Sequence, residues 1–269
     1  MIGVINYGAG NLGSVMNALA RLGLPARFVQ GPEELVGRGS GRPRGVAGEG
    51  ATGEGSASEG ATGEGAAGKG ATGEGSASEG TAGAAGSSGS SGARSSGPAY
   101  SGIIFPGDGH FATAMEALDR SGYSEAIREW ISADRPFLGI CIGLQLLFET
   151  SEEAPPVQGR EIRGLSVIPG TVRKFQGPKV PQIGWNETRG KGGAKLFSSL
   201  PDRSFFYYIH SYYVVPDAPD WVAAEADYYG TYCSAVERGA LTAVQFHPEK
   251  SGALGLELLR RWAEVYHVS

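Results

Sequence analysis

The chain has 269 residues, a net charge of −5 and 41% hydrophobic residues. The modest acidic balance without a basic stripe argues against a nucleic-acid partner, and no apolar run approaches the ~18 residues that span a bilayer. Two cysteines, Cys141 and Cys233, with no CxxC pair argue against a disulfide scaffold or structural zinc. Residues 1–6 lack the basic flank and long apolar stretch of a signal peptide, so a reducing cytoplasm is the expected setting.

In chain order, residues 1–7 predict a short apolar strand. Leu12, Val15, Met16 and Leu19 recur at helical spacing and predict an amphipathic helix over 12–22, ended by Gly23. Residues 26–29 read as a second strand. Residues 37–97 then hold 21 of the 45 glycines, no aromatic residue, and Val46 as their one large aliphatic. The decapeptide ATGEGSASEG stands at 51–60 and again at 71–80, with a close variant between. A ten-residue period can mark a solenoid, but these units offer no apolar face to stack. Such a tract cannot offset its chain entropy and is expected to be a disordered insertion. Beyond it, 102–105 predicts a buried strand, 111–133 helical structure, and 137–141 a strand running into a helix over 142–148. Residues 160–246 read as short antiparallel strands and 255–268 as a closing helix. The expected fold is α/β. It has a doubly wound, mostly parallel sheet with helices on both faces and an antiparallel extension. The whole of 1–269 is expected to be one domain, with 37–97 inserted in it.

Gly139-Ile140-Cys141-Ile142-Gly143 sits where a buried strand turns into a helix, the pattern of a nucleophile elbow with Cys in place of Ser. A helix N-terminus favours the thiolate and aims backbone N–H groups at a developing oxyanion. Most free cysteines are merely small buried hydrophobes, so a second piece is needed. Val244-Gln245-Phe246-His247-Pro248-Glu249 is an apolar strand ending in His-x-Glu. Alternation along an extended segment puts His247 and Glu249 on one side. Glu249 can then fix the imidazole tautomer while the other ring nitrogen serves Cys141. Pro106-Gly107-Asp108-Gly109 follows another buried strand and supplies the second half of an oxyanion hole, at Asp108, beside the N–H of Ile142. Gly8-x-Gly10-x-x-Gly13 matches the dinucleotide fingerprint, but Gln30 stands where its acidic residue is expected, which counts against NAD. His110, His210 and His247 show no metal-ligand spacing. Neither a metal nor another cofactor is expected.

Gly-x-Cys-x-Gly with a later His-Pro-Glu, behind a Pro-Gly-x-Gly strand end, resembles the class I (triad) glutamine amidotransferases. Four further segments resemble the glutaminase subunits of imidazole glycerol phosphate synthases: Tyr7-Gly8-Ala9-Gly10-Asn11, the run from Cys141 to Glu149, Val180-Pro181-Gln182-Ile183-Gly184-Trp185-Asn186, and Tyr208-Ile209-His210-Ser211-Tyr212. The resemblance covers 1–36 and 98–269. It implies hydrolysis of L-glutamine by a Cys141–His247–Glu249 triad. The ammonia would pass to a (β/α)₈ cyclase subunit in a heterodimer, which makes imidazole glycerol phosphate and AICAR in histidine biosynthesis. It also implies that Gly109, Gln145, His210, Ser211 and Tyr212 line the glutamine pocket, and that Asn11, Trp185 and Lys250 face the cyclase. The chain departs from many relatives at Asp108, where they carry a small apolar residue, and at Gln182, where they carry His. A carboxylate turned inward at 108 would oppose ionisation of the thiol.

Overall fold

The structure, a computed structural model, describes residues 1–8, 12–36, 99–156, 159–201 and 203–268. The tract at 37–97 and Asn11 lie outside the described residues. In chain order the elements are β1 (Ile2–Val4), α1 (Leu12–Arg21), β2 (Ala26–Phe28), β3 (Gly102–Gly107), α2 (Phe111–Ser121), α3 (Tyr123–Ser132), β4 (Phe137–Cys141) and α4 (Ile142–Gln145). They continue with β5 (Phe148–Ser151), β6 (Ile168–Lys174), β7 (Gln182–Gly190), β8 (Ser204–His210), β9 (Tyr212–Pro216), β10 (Val222–Asp227), β11 (Thr231–Arg238), β12 (Leu241–Val244) and α5 (Gly252–Val265).

The main sheet runs β2-β1-β3-β4-β12-β11-β10-β7-β8. Its first five strands are parallel. From β11 onward the pairing is antiparallel, and β5, β6 and β9 form a side branch. The sequence explains why the parallel strands need cover on both sides. Alternate residues of β3 enter different cores: Ile103 and Phe105 pack with α2 and α3 through Met115, Leu118 and Trp130. Ile104 packs with α1 and α5 through Leu19, Leu258 and Trp262. Each such side chain, fully buried, contributes roughly 1.5–3 kcal/mol.

The helical stretch 111–133 divides into two helices, because Gly122 adopts φ 77° and its N–H closes back on the Leu118 and Asp119 carbonyls. Two expectations need correction. The first strand is shorter than 1–7 and occupies Ile2–Val4. Most consequential, the helix after Cys141 is a single turn, Ile142–Gln145, and not 142–148. The Leu146 and Leu147 carbonyls accept from Leu165 and Val167 instead (2.7 and 2.9 Å), and Phe148 pairs with Ile168 in a new strand. These tertiary bonds outcompete helix propagation, so little of a helix dipole stands behind the sulfur.

On either side of 37–97 the described chain meets itself: the Tyr100 hydroxyl donates to the Glu34 carboxylate, and Arg135 Nη1 donates to Leu35 O at 3.1 Å. A short connection can therefore join the two sides. Replacing 37–97 by a short Gly-Ser linker is expected to leave stability equal or higher by up to roughly 2 kcal/mol, the loop-closure entropy recovered. Urea unfolding monitored by tryptophan fluorescence checks this; a clear loss of stability would mean that the tract contributes to the fold.

Candidate active site

The C-terminal ends of β3, β4 and β12 converge, the usual place for a ligand site in an open parallel sheet. Register fixes what meets there. Gly107 is level with Cys141 across β3 and β4. Val244 is level with Ile140 across β12 and β4, which brings Gln245 beside Cys141. Cys141 itself has φ 56° and ψ −111°, a left-handed conformation for a residue with a side chain, and such positions typically cost about 1–3 kcal/mol. The glycines around it allow the turn to pack. A Cβ on Gly143 would lie 2.1 Å from the Phe105 carbonyl oxygen, and one on Gly139 would lie 2.9 Å from the Ala243 Cβ. At Gly107 a Cβ would sit 2.2 Å from both Ile142 Cγ2 and the Tyr7 hydroxyl. The two strand ends can therefore approach only as glycine backbone.

His247 and Glu249 do meet, but not by strand alternation. The chain bends into a 3₁₀ turn at Pro248–Lys250, and the turn folds Glu249 Oε1 back to 2.8 Å from His247 Nδ1. Both side chains are almost fully buried. Nδ1 being engaged by the carboxylate, the other ring nitrogen is the one left for Cys141. Burial disfavours the imidazolium, but the Cys141 sulfur and the Glu249 carboxylate together outweigh it and push His247 up to about 10. His210 behaves oppositely. Burial, aided by His247, pulls it down to about 4, against the opposing bond to the Tyr212 carbonyl. That bond, 2.7 Å from Nδ1, fixes the proton there and leaves Nε2 facing the Tyr232 hydroxyl at 3.4 Å. Gln182 completes this network by accepting from Tyr232 at 3.1 Å.

A cavity of about 340 Å³ opens over the sulfur. Its wall brings together Cys141 and His247 with the predicted oxyanion residues Asp108 and Ile142. Gly109, Gln145, His210, Ser211 and Tyr212, predicted to bind glutamine, line it too, as does Lys250. Glu249 stands behind His247 rather than in the wall. Sequence reasoning does not single out two further residues. Glu153 lines the cavity and caps α2 by accepting from the Phe111 N–H at 2.8 Å. Gln245 is fully buried between Gln145 and Cys141. Its signal was its place two residues before His247, at the end of an apolar run. His110 has a plain structural role: its Nδ1 accepts from Ala112 N and caps α2. Among the described residues no cluster of three His, Cys, Asp or Glu could hold a metal ion, and no helix is long and apolar enough to cross a membrane.

Trp185 lies away from the cavity, on the outward face of the β7–β8 hairpin. Cross-strand pairs set Ile183 against Ile209 and Trp185 against Tyr207. With Phe205 they form an exposed apolar face, on which Trp185 is 56% exposed. The backbone of β8 reaches the cysteine end of the site: Tyr207 O accepts from the His247 N–H at 2.9 Å, and Ile209 O lies 4.0 Å from Cys141 Sγ.

Comparison with known proteins gives this geometry its family. Residues 96–263 match the family described as glutamine amidotransferase class-I. The imidazole glycerol phosphate synthase subunit HisH of Chlorobaculum tepidum is 46% identical over 168 residues, covering 61% of this chain and 81% of that protein. The subunit HisH of Moorella thermoacetica is 34% identical over 265 residues, 98% of this chain and 94% of its own. A solved structure described as a glutamine amidotransferase shares the fold with a TM-score of 0.59 at 16% identity, covering 99% of both chains. The chain belongs to the class I glutamine amidotransferases and, within them, to the HisH subunits of imidazole glycerol phosphate synthase.

Proposed function

We propose that this chain hydrolyses L-glutamine to glutamate and ammonia and hands the ammonia to a (β/α)₈ cyclase subunit. In that reading it works as one domain, in a cytoplasmic heterodimer that makes imidazole glycerol phosphate and AICAR for histidine biosynthesis. The observation that carries it is the buried His247–Glu249 pair, at 2.8 Å, set against a cysteine held at a strained strand end over a cavity.

The Cys141 sulfur attacks the glutamine amide carbon, and the carbonyl oxygen gains the negative charge. The Ile142 N–H at the head of α4 and the backbone at Asp108–Gly109 are the donors available to it. His247 carries the proton to the leaving nitrogen, and the C–N bond breaks to release ammonia. Water then attacks the thioester and gives its proton to His247, and the C–S bond breaks to release glutamate. Glu249 holds the imidazole's tautomer and stabilises its charge. Glu153 is the carboxylate in the wall suited to the α-ammonium group. The exposed apolar face around Trp185 is of the kind that mediates association, and it supports docking of the cyclase there. Lys250, half-buried at the cavity's edge, lies between the two surfaces in this reading.

Cys141→Ala is expected to lower glutamate release by about 10⁴-fold or more, with ammonia-dependent cyclisation by the assembled enzyme preserved. In the same variant the His247 imidazole loses one of the two groups that hold it up. Nitrogen-resolved NMR should find it titrating below the wild-type value, while His210 stays neutral above about pH 4. An unchanged His247 titration would place the sulfur elsewhere. Glu249→Gln is expected to cost less in kcat than His247→Ala, whose loss is about 10²–10⁴-fold; equal losses in steady-state assays would give Glu249 a direct part in proton transfer. Trp185→Asp should weaken assembly with the cyclase by about 30-fold, the scale of a single anchor residue. Titration calorimetry measures it, and an unchanged Kd would remove the β7–β8 face from the interface.

A further inference from the structure

The Gln245 side chain is fully buried, and every polar contact it makes lies within the site. Gln145 Nε2 donates to the Tyr212 backbone carbonyl at 3.1 Å and to Gln245 Oε1 at 3.1 Å. A carbonyl can only accept, so Tyr212 forces Gln145 to present its NH₂ group. The second N–H of that group requires an oxygen from Gln245. The Gln245 NH₂ is thereby turned to Cys141 Sγ, 3.7 Å away. The orientation of both amides thus follows from one main-chain oxygen. We propose that Gln245 is the side-chain donor to the ionised sulfur of Cys141, aimed by a relay from the Tyr212 carbonyl through Gln145.

The donor matters because little else on this side favours the thiolate. α4 is one turn long, and Ile209 O, 4.0 Å from the sulfur, is an acceptor, which suits the neutral thiol. A buried N–H donor stabilises the ionised form selectively. The relay also starts in the cavity wall, since Tyr212 and Gln145 both line it. The inference rests on the reading of Cys141 as the nucleophile. The titratable groups facing the sulfur are His247, Tyr7 and Asp108, with Glu153, His210 and Lys250 further round the cavity. All six stay in place when Gln245 is changed.

The test is the pH dependence of iodoacetamide labelling at Cys141 in the full chain, mapped by mass spectrometry so that Cys233 is scored separately. Gln245→Leu should move the labelling midpoint up by about one pH unit, equivalent to a tenfold smaller thiolate fraction below it. The kcat for glutamine should fall by a similar factor, with KM within about twofold. Gln245→Glu, close in shape, puts a carboxylate beside the sulfur and should shift the midpoint at least as far; it serves if the leucine variant does not fold. A folded variant of either kind that labels with the wild-type pH profile overturns the inference. If Cys141→Ala retains glutamate release, the nucleophile assignment fails instead, and the two failures are distinguishable.

Discussion

The left-handed turn at Cys141 is the constraint on which the site depends. A residue with a side chain at φ 56° is costly, and it persists where the surrounding structure leaves no alternative. Here β4 is clamped between β3 and β12, and Gly143 lies so close to the Phe105 carbonyl that any side chain there would collide with backbone. The same close approach sets Gly107 level with Cys141 and Gln245 beside it. The placements of Cys141, of Gly107 level with it and of the buried Gln245 amide beside it are therefore one geometric fact, fixed by parallel register.

That geometry also connects the outer surface to the chemistry. β8 turns Ile209 and Tyr207 toward the exposed apolar face, while its backbone carbonyls point to Cys141 and bond His247. Ser251 ties the arrangement from behind, with its hydroxyl donating to the His247 carbonyl at 2.6 Å and accepting from the Tyr207 N–H at 2.9 Å. The apolar face and the backbone contacts to His247 and Cys141 are carried by one strand, β8.

Much of this was legible in the sequence because it rests on local patterns. The Gly-x-Cys-x-Gly elbow, the buried strands of β3 and β4 and the amphipathic α1 and α5 all declare themselves through glycine placement and periodicity. What was not legible depends on contacts distant in sequence. The helix after Cys141 looked long because Leu144, Leu146 and Leu147 are good helix residues, yet the chain at 165–168 captures the carbonyls of Leu146, Leu147 and Phe148. The His247–Glu249 pair was expected for the wrong local reason: a 3₁₀ turn, not an extended segment, brings the two together. Gln245 lay in plain view within the His-Pro-Glu segment, but its role appears only once Gln145 and the Tyr212 carbonyl, 100 and 33 positions away, are brought to it. Residues 37–97, by contrast, were read from composition alone.

The most direct measurement is a crystal structure of the chain after reaction with a glutamine analogue that carries a diazoketone in place of the amide. The expected result is a covalent bond from Cys141 Sγ, with the analogue's oxygen within hydrogen-bonding distance of the Ile142 N–H and its α-ammonium group toward Glu153. A bond to Cys233, or a Cys141 adduct whose oxygen points away from Ile142 toward His210, would contradict the assignment of this strand end as the glutaminase centre.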